Sequence, residues 1–145
     1  MGLYEMMTNI SGNNIEKVIL ESINRVNNIL KDLTKDLTCK IYNSYVFREL
    51  RDRHIPVRLV NTKDLGFSYE HYFVLVPNDN KYYIVDMTYG QFNINSELTK
   101  NGYQEIDNDS FNSYLRVVTR ENSNGIMLDD VFYSVVDSKK SSLQK

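Results

Sequence analysis

Two runs rich in β-branched and aromatic residues, His71–Val76 and Tyr82–Met87, flank the segment Pro77-Asn78-Asp79-Asn80-Lys81. Proline, asparagine and aspartate supply turn geometry, so the two runs predict a β-hairpin. A two-residue tip at Asn78-Asp79, a pair that tolerates positive φ, makes opposed residue numbers sum to a constant and places His71 across from Asp86. Phe73 then faces Ile84 and Leu75 faces Tyr82, all on one side of the sheet, because side chains alternate with period two. An imidazole and a carboxylate thus end an otherwise apolar face. A one-residue slip of register sends them to opposite faces.

The rest of the chain supplies partners for that hairpin. Apolar residues at Ile15, Val18, Ile19, Ile23, Val26, Leu30 and Leu33 follow a helical period, with Asn13 or Asn14 as cap. A second helical pattern runs from about Cys39 to Arg53, with Thr38 as its N-cap, and Pro56 ends it by pushing His54-Ile55 out of helical geometry. Val57–Val60 reads as a strand, 61–70 as a polar loop, Ser110–Val118 as a helix and Met127–Val136 as a strand. These elements predict a single α+β domain over residues 1–145 with its core at about 14–136. N-terminal helices are expected to pack on an antiparallel sheet with strands near 57–61, 71–76, 82–87 and 127–136. The Lys/Ser/Gln-rich tail 138–145 is expected to be disordered.

Charge and cysteine content narrow the function. With 17 Lys+Arg against 19 Asp+Glu in 145 residues, there is no positive field to collect phosphate backbones, so no nucleic-acid partner is expected. No run approaches the roughly 20 apolar residues that span a bilayer, and no basic-then-apolar leader opens the chain, so no membrane partner is expected either. The single cysteine forms no intrachain disulfide.

That cysteine, Cys39, falls in the first turn of a helix, where the positive end of the dipole favours the thiolate. His71 is its natural base, and Asp86 the group that fixes the tautomer of His71 and stabilises its imidazolium. His54 is set aside because fifteen residues of helix separate it from Cys39 by about 22 Å. A metal site built from Cys39, His54, His71 and Asp86 lacks any short-spaced ligand pair, so neither metal nor cofactor is expected. Tyr82, Tyr83, Tyr89 and Tyr103 read as sheet packing and Arg58 as a salt-bridge former. Gln91 is a candidate second oxyanion donor beside the Cys39 backbone N–H.

The stretch Cys39–Val60 resembles the core of the transglutaminase-like branch of the papain-like superfamily. There a cysteine opens a helix whose arginine-bearing end runs into Gly-Ile-Pro-Ala-Arg and a strand. The later His71-x-Phe-Val and Asp86-Met-Thr-Tyr-Gly-Gln-Phe92 fit the same pattern, so the resemblance covers residues 38–92 of the 145. His54 replaces the usual glycine and Met87 a frequent proline, departures that bear on local turns.

The resemblance implies a catalytic set of Cys39, His71 and Asp86 acting on a protein or peptide substrate through a thioester. It is nearest in kind to small bacterial effector or toxin domains such as protein-glutamine deamidases. Deamidation or another amidohydrolase reaction ranks first, proteolysis second and transglutamination third. A catalytically inert binding module of the same fold is the non-enzymatic alternative. A cytoplasmic location, or delivery outside the cell without a standard signal peptide, is expected; oligomeric state is left open.

Overall fold

The computed structural model describes residues 14–32 and 39–133. Helix α1 spans Asn14–Ile29 and helix α2 Cys39–Asp52, followed by strands β1 (Arg58–Asn61), β2 (Tyr72–Asn78) and β3 (Lys81–Val85). The short helix α3 (Glu97–Asn101) leads into β4 (Tyr103–Ile106) and helix α4 (Asn108–Thr119), and the described residues 128–133 are helical, α5. Single 3-10 turns occupy Thr62–Leu65 and Tyr89–Phe92. The expected Thr38 and Asn13 caps, Leu33, Val135 and the 138–145 tail lie outside the described residues.

The four strands form one antiparallel sheet in the order β1-β2-β3-β4, and the fold is α+β as expected. Helices cover both faces. On one side Ile15, Ile19, Ile23 and Val26 of α1 and Tyr42, Val46 and Leu50 of α2 pack on Val74, Val76, Tyr83 and Val85. On the other, Phe111, Tyr114, Leu115 and Val118 of α4, with Leu128 and Val131 of α5, pack on Phe73, Leu75, Tyr82, Ile84 and Ile106. Both strands of the central hairpin are therefore apolar on both faces, which is why they read as near-continuous hydrophobic runs.

Two expectations are corrected here. The fourth strand is 103–106, not 127–136: β4 has only four residues, too few to show a period. The apolar residues Leu128 and Val131 are three apart and bury one side of a helical turn, which outweighs the alternation at Val131 and Tyr133. The hairpin tip is Asp79-Asn80, closed by the pair Asn78–Lys81, with Asp79 at φ 57°. Moving a tip by one residue shifts the cross-strand register by two, and an even shift preserves faces. Phe73 and Leu75 therefore still share a face with Ile84 and Tyr82, and residues 71 and 86 change from opposed to diagonal neighbours.

Helix α2 ends differently from the expectation as well. His54 adopts the left-handed conformation (φ 63°), its N–H donates to Arg51 O at 2.9 Å, and Ile55 N–H donates to Leu50 O at 3.1 Å. This is a Schellman termination, completed by the apolar contact of Ile55 with the Leu50 side of the core. Helical geometry is left at His54 by that left-handed turn, while Pro56 restricts only the residue before it.

Candidate active site

The site lies at one end of the sheet, where β2 begins, β3 has ended and both helix layers meet. His71 directly precedes β2. Its backbone is held by Thr62 on both sides: His71 N–H donates to Thr62 Oγ1 (2.8 Å) and Thr62 N–H donates to His71 O (3.0 Å). Asp86 directly follows β3, and its N–H donates to Gly102 O at 2.9 Å, one step past the Val85–Tyr103 pair of β3 and β4. Gly102 is needed there because it caps α3 at φ 82°, and a Cβ would meet Ile23 Cδ1 at 3.3 Å.

Diagonal placement does not separate the two side chains. His71 Nε2 and Asp86 Oδ2 are 2.7 Å apart, and both residues are about 1% exposed. Cys39 is the first residue of α2 and half-buried, and its thiol lies near enough to the His71 ring and the Tyr72 backbone for both to favour its ionised form. Since Nε2 faces Asp86, the ring nitrogen left for Cys39 is Nδ1. The structure thus brings together Cys39, His71 and Asp86, each from a different element.

The carboxylate is fully engaged. Asp86 Oδ2 also accepts from Tyr114 Oη at 2.7 Å, while Oδ1 accepts from Thr88 N (3.0 Å), Thr88 Oγ1 (2.9 Å) and Asn43 Nδ2 (3.3 Å). Asn43 sits one turn beyond Cys39 on α2, is fully buried, donates to Tyr72 O (3.0 Å) and accepts from Met87 N (3.1 Å). One amide therefore ties the helix that carries the thiol to the start of β2 and the end of β3. Phe92 closes the cluster, its ring edge-on to His71 with centroids 5.2 Å apart.

Electrostatics follow from these contacts. Burial pushes the Cys39 thiol up, but hydrogen bonds from His71 and the Tyr72 backbone, with the charge of the imidazolium, bring it below the ordinary thiol value against opposition from Asp86. Burial pulls His71 down, yet the Asp86 hydrogen bond and charge, aided by Cys39, raise it to about 9. Asp86 itself is raised by burial and lowered more strongly by His71, Tyr114 and Thr88, so it remains a carboxylate. The combination favours thiolate, imidazolium and carboxylate in line.

Other candidates fall elsewhere. His54 is exposed beyond the far end of α2, and among the described residues no group of three or more His, Cys, Asp or Glu is placed to hold a metal ion. The Gln91 side-chain amide donates to Thr88 O at 3.1 Å within its own turn. Arg58 lies over the Phe132 ring at 5.9 Å where an ion pair was expected. Tyr82, Tyr83 and Tyr89 are buried core residues, and Tyr103 packs against Tyr83. Among the described residues, no helix is long and apolar enough to cross a membrane.

Sequence reasoning missed Asn43 and Tyr114. For Asn43 a signal existed: a poor helix former inside an apolar stripe, at i+4 from the cysteine. Tyr114 gave none, since an aromatic on the buried side of an amphipathic helix reads as ordinary core. Comparison with known proteins finds no matching family model, no similar curated sequence and no similar solved structure.

Proposed function

We propose that this protein is a thiol-dependent acyl-transfer enzyme acting on a carboxamide, with Cys39 as nucleophile, His71 as general acid and base, and Asp86 as the orienting carboxylate. The observation that carries the reading is the buried His71–Asp86 pair, with Nε2 and Oδ2 2.7 Å apart, beside the half-buried thiol of Cys39 at the start of α2. Structural needs alone do not call for a half-buried thiol, an imidazole and a carboxylate to converge from three elements at a sheet end.

In this mechanism the Cys39 thiolate attacks the carboxamide carbon, and the oxyanion is met by the Cys39 N–H, which at a helix start has no intrahelical acceptor. The C–N bond breaks as the imidazolium gives its proton to the departing ammonia or amine, leaving a thioester on Sγ. Neutral His71 next takes a proton from water, whose oxygen attacks the thioester, and the product carboxylate leaves as the thiolate reforms. The likeness to small effector or toxin domains favours hydrolysis of a glutamine side chain, and the lack of tryptophan disfavours an amine tunnel and with it transglutamination.

Iodoacetamide tests the chemistry. Cys39 is expected to alkylate rapidly at pH 6, where an ordinary thiol is almost wholly protonated, and His71→Ala should remove that advantage. Equal rates in the two proteins overturn the reading and leave an inert module. Mass spectrometry of glutamine-bearing proteins incubated with the enzyme separates outcomes: glutamate in place of glutamine for deamidation, new termini for proteolysis, joined peptides for transfer.

A further inference from the structure

Asp86 Oδ2 accepts two hydrogen bonds of equal length, from His71 Nε2 and from Tyr114 Oη, both 2.7 Å. Tyr114 is 4% exposed and reaches the site from α4, on the opposite layer from the helix that carries Cys39. Its ring is clamped edge-on to Phe73 (centroids 5.2 Å apart) and packed on Tyr89 (5.5 Å), so its hydroxyl is aimed by rigid neighbours. Asp86 is already oriented without it, because Oδ1 takes three donors of its own. A further donor on the oxygen that serves the histidine calls for another explanation than orientation.

We propose that Tyr114 is a positioning residue that sets how tightly His71 holds its proton, by sharing the Asp86 oxygen to which the imidazolium donates. This rests on the role assigned to His71 above. A donor on a carboxylate oxygen draws charge away from its other partner, so the Tyr114 hydroxyl weakens the pull of Asp86 on the imidazolium. The chemistry needs such restraint. His71 must surrender a proton to the leaving group and must then be neutral to activate water, and an imidazolium held too firmly does neither. Burial and the charge of Asp86 keep Tyr114 protonated far above its ordinary range, so it stays a donor throughout.

Among the described residues, the titratable groups facing this cluster are few. Cys39 on α2 and Asp86 after β3 act on His71 directly, Tyr89 in the following 3-10 turn and Tyr114 on α4 feel Asp86, and Tyr72 at the start of β2 feels Glu70, Asp64 and, more weakly, Cys39. Tyr89 and Tyr72 are phenols shifted upward, so both remain neutral while His71 titrates. The phenol that touches the carboxylate is Tyr114.

The test is the titration of His71 by NMR of its ring nitrogens in the full chain, without substrate, in two variants. Tyr114→Phe deletes the shared donor while keeping the ring, and is expected to move the His71 titration up by roughly 0.5 to 1 pH unit. Site-specific replacement of Tyr114 by 3-fluorotyrosine makes the hydroxyl a stronger donor and is expected to move it down. Loosened packing cannot produce opposite displacements. Movement in opposite directions supports the proposal; no movement, or movement the same way in both, overturns it. Should Tyr114→Phe fail to fold, the fluorotyrosine protein decides alone: a downward displacement supports and its absence refutes. Slow alkylation of Cys39 in the parent protein would instead defeat the enzymatic reading, an outcome the NMR titration does not depend on.

Discussion

Asp86→Asn is the substitution that most directly probes the line of three groups. Five hydrogen-bond donors converge on the Asp86 carboxylate, two on Oδ2 and three on Oδ1. An amide offers a single acceptor oxygen, so whichever way the substituted side chain turns, donors meet an NH2 group. With nitrogen toward His71, the ring must accept at Nε2 and carry its proton on Nδ1, which disables it as a base for Cys39. With oxygen toward His71, the charge that holds the imidazolium is still lost. The raise of His71 from 6.5 to about 9 corresponds to about 3 kcal/mol in favour of the imidazolium, shared between Asp86 and Cys39. A thiol released to an ordinary value near ~8.5 is ionised to about one part in 300 at pH 6. The greater nucleophilicity of a more basic thiolate recovers up to about tenfold of that loss. Alkylation by iodoacetamide at pH 6 should therefore fall by up to about thirtyfold and approach parent rates above about pH 9. A variant that remains folded by circular dichroism and alkylates within threefold of the parent at pH 6 would refute the assignment of Asp86.

Asn43→Ala leaves Tyr72 O and Met87 N without their buried partner and should cost about 3 kcal/mol in urea unfolding, with slower alkylation of Cys39 because α2 loses its tie to β2. His54→Gly relieves a left-handed non-glycine residue at φ 63° and should stabilise the protein by about 1 kcal/mol without changing thiol reactivity. Stability against pH should separate the ion pair from a lone histidine. A raised His71 contributes fully below about pH 6.5 and fades toward about 9, whereas a lowered Cys39 contributes fully above the unfolded thiol value near ~8.5 and fades as pH falls. The two slopes oppose below about pH 8.5, which flattens the profile there, and Cys39→Ser should steepen the fall between about pH 6.5 and 9, by less than about 3 kcal/mol because part of the His71 raise comes from Cys39. Equal slopes in both proteins would contradict the pairing.

The chain itself determined the local elements and the candidate chemistry. Apolar period fixed α1, α2 and α4, and the β-rich runs around Pro77–Lys81 fixed the hairpin, because each signal is contained within one element. The parity of the hairpin was legible too, and parity is what keeps His71 and Asp86 on one face when the tip moves from Asn78-Asp79 to Asp79-Asn80. Tertiary structure decided the rest. The four residues of β4 owe their strand geometry to pairing with β3, and 128–133 turns helical to bury Leu128 and Val131 on the sheet. That Cys39 reaches His71 at all depends on the packing of α2 across β2 and on the Asn43 amide, contacts between residues 29 and 43 positions apart in sequence. No local pattern encodes such contacts; burial of both sheet faces selects them. Tyr114 shows the same limit, since only the meeting of α4 with the end of β3 distinguishes its hydroxyl from that of any other core tyrosine.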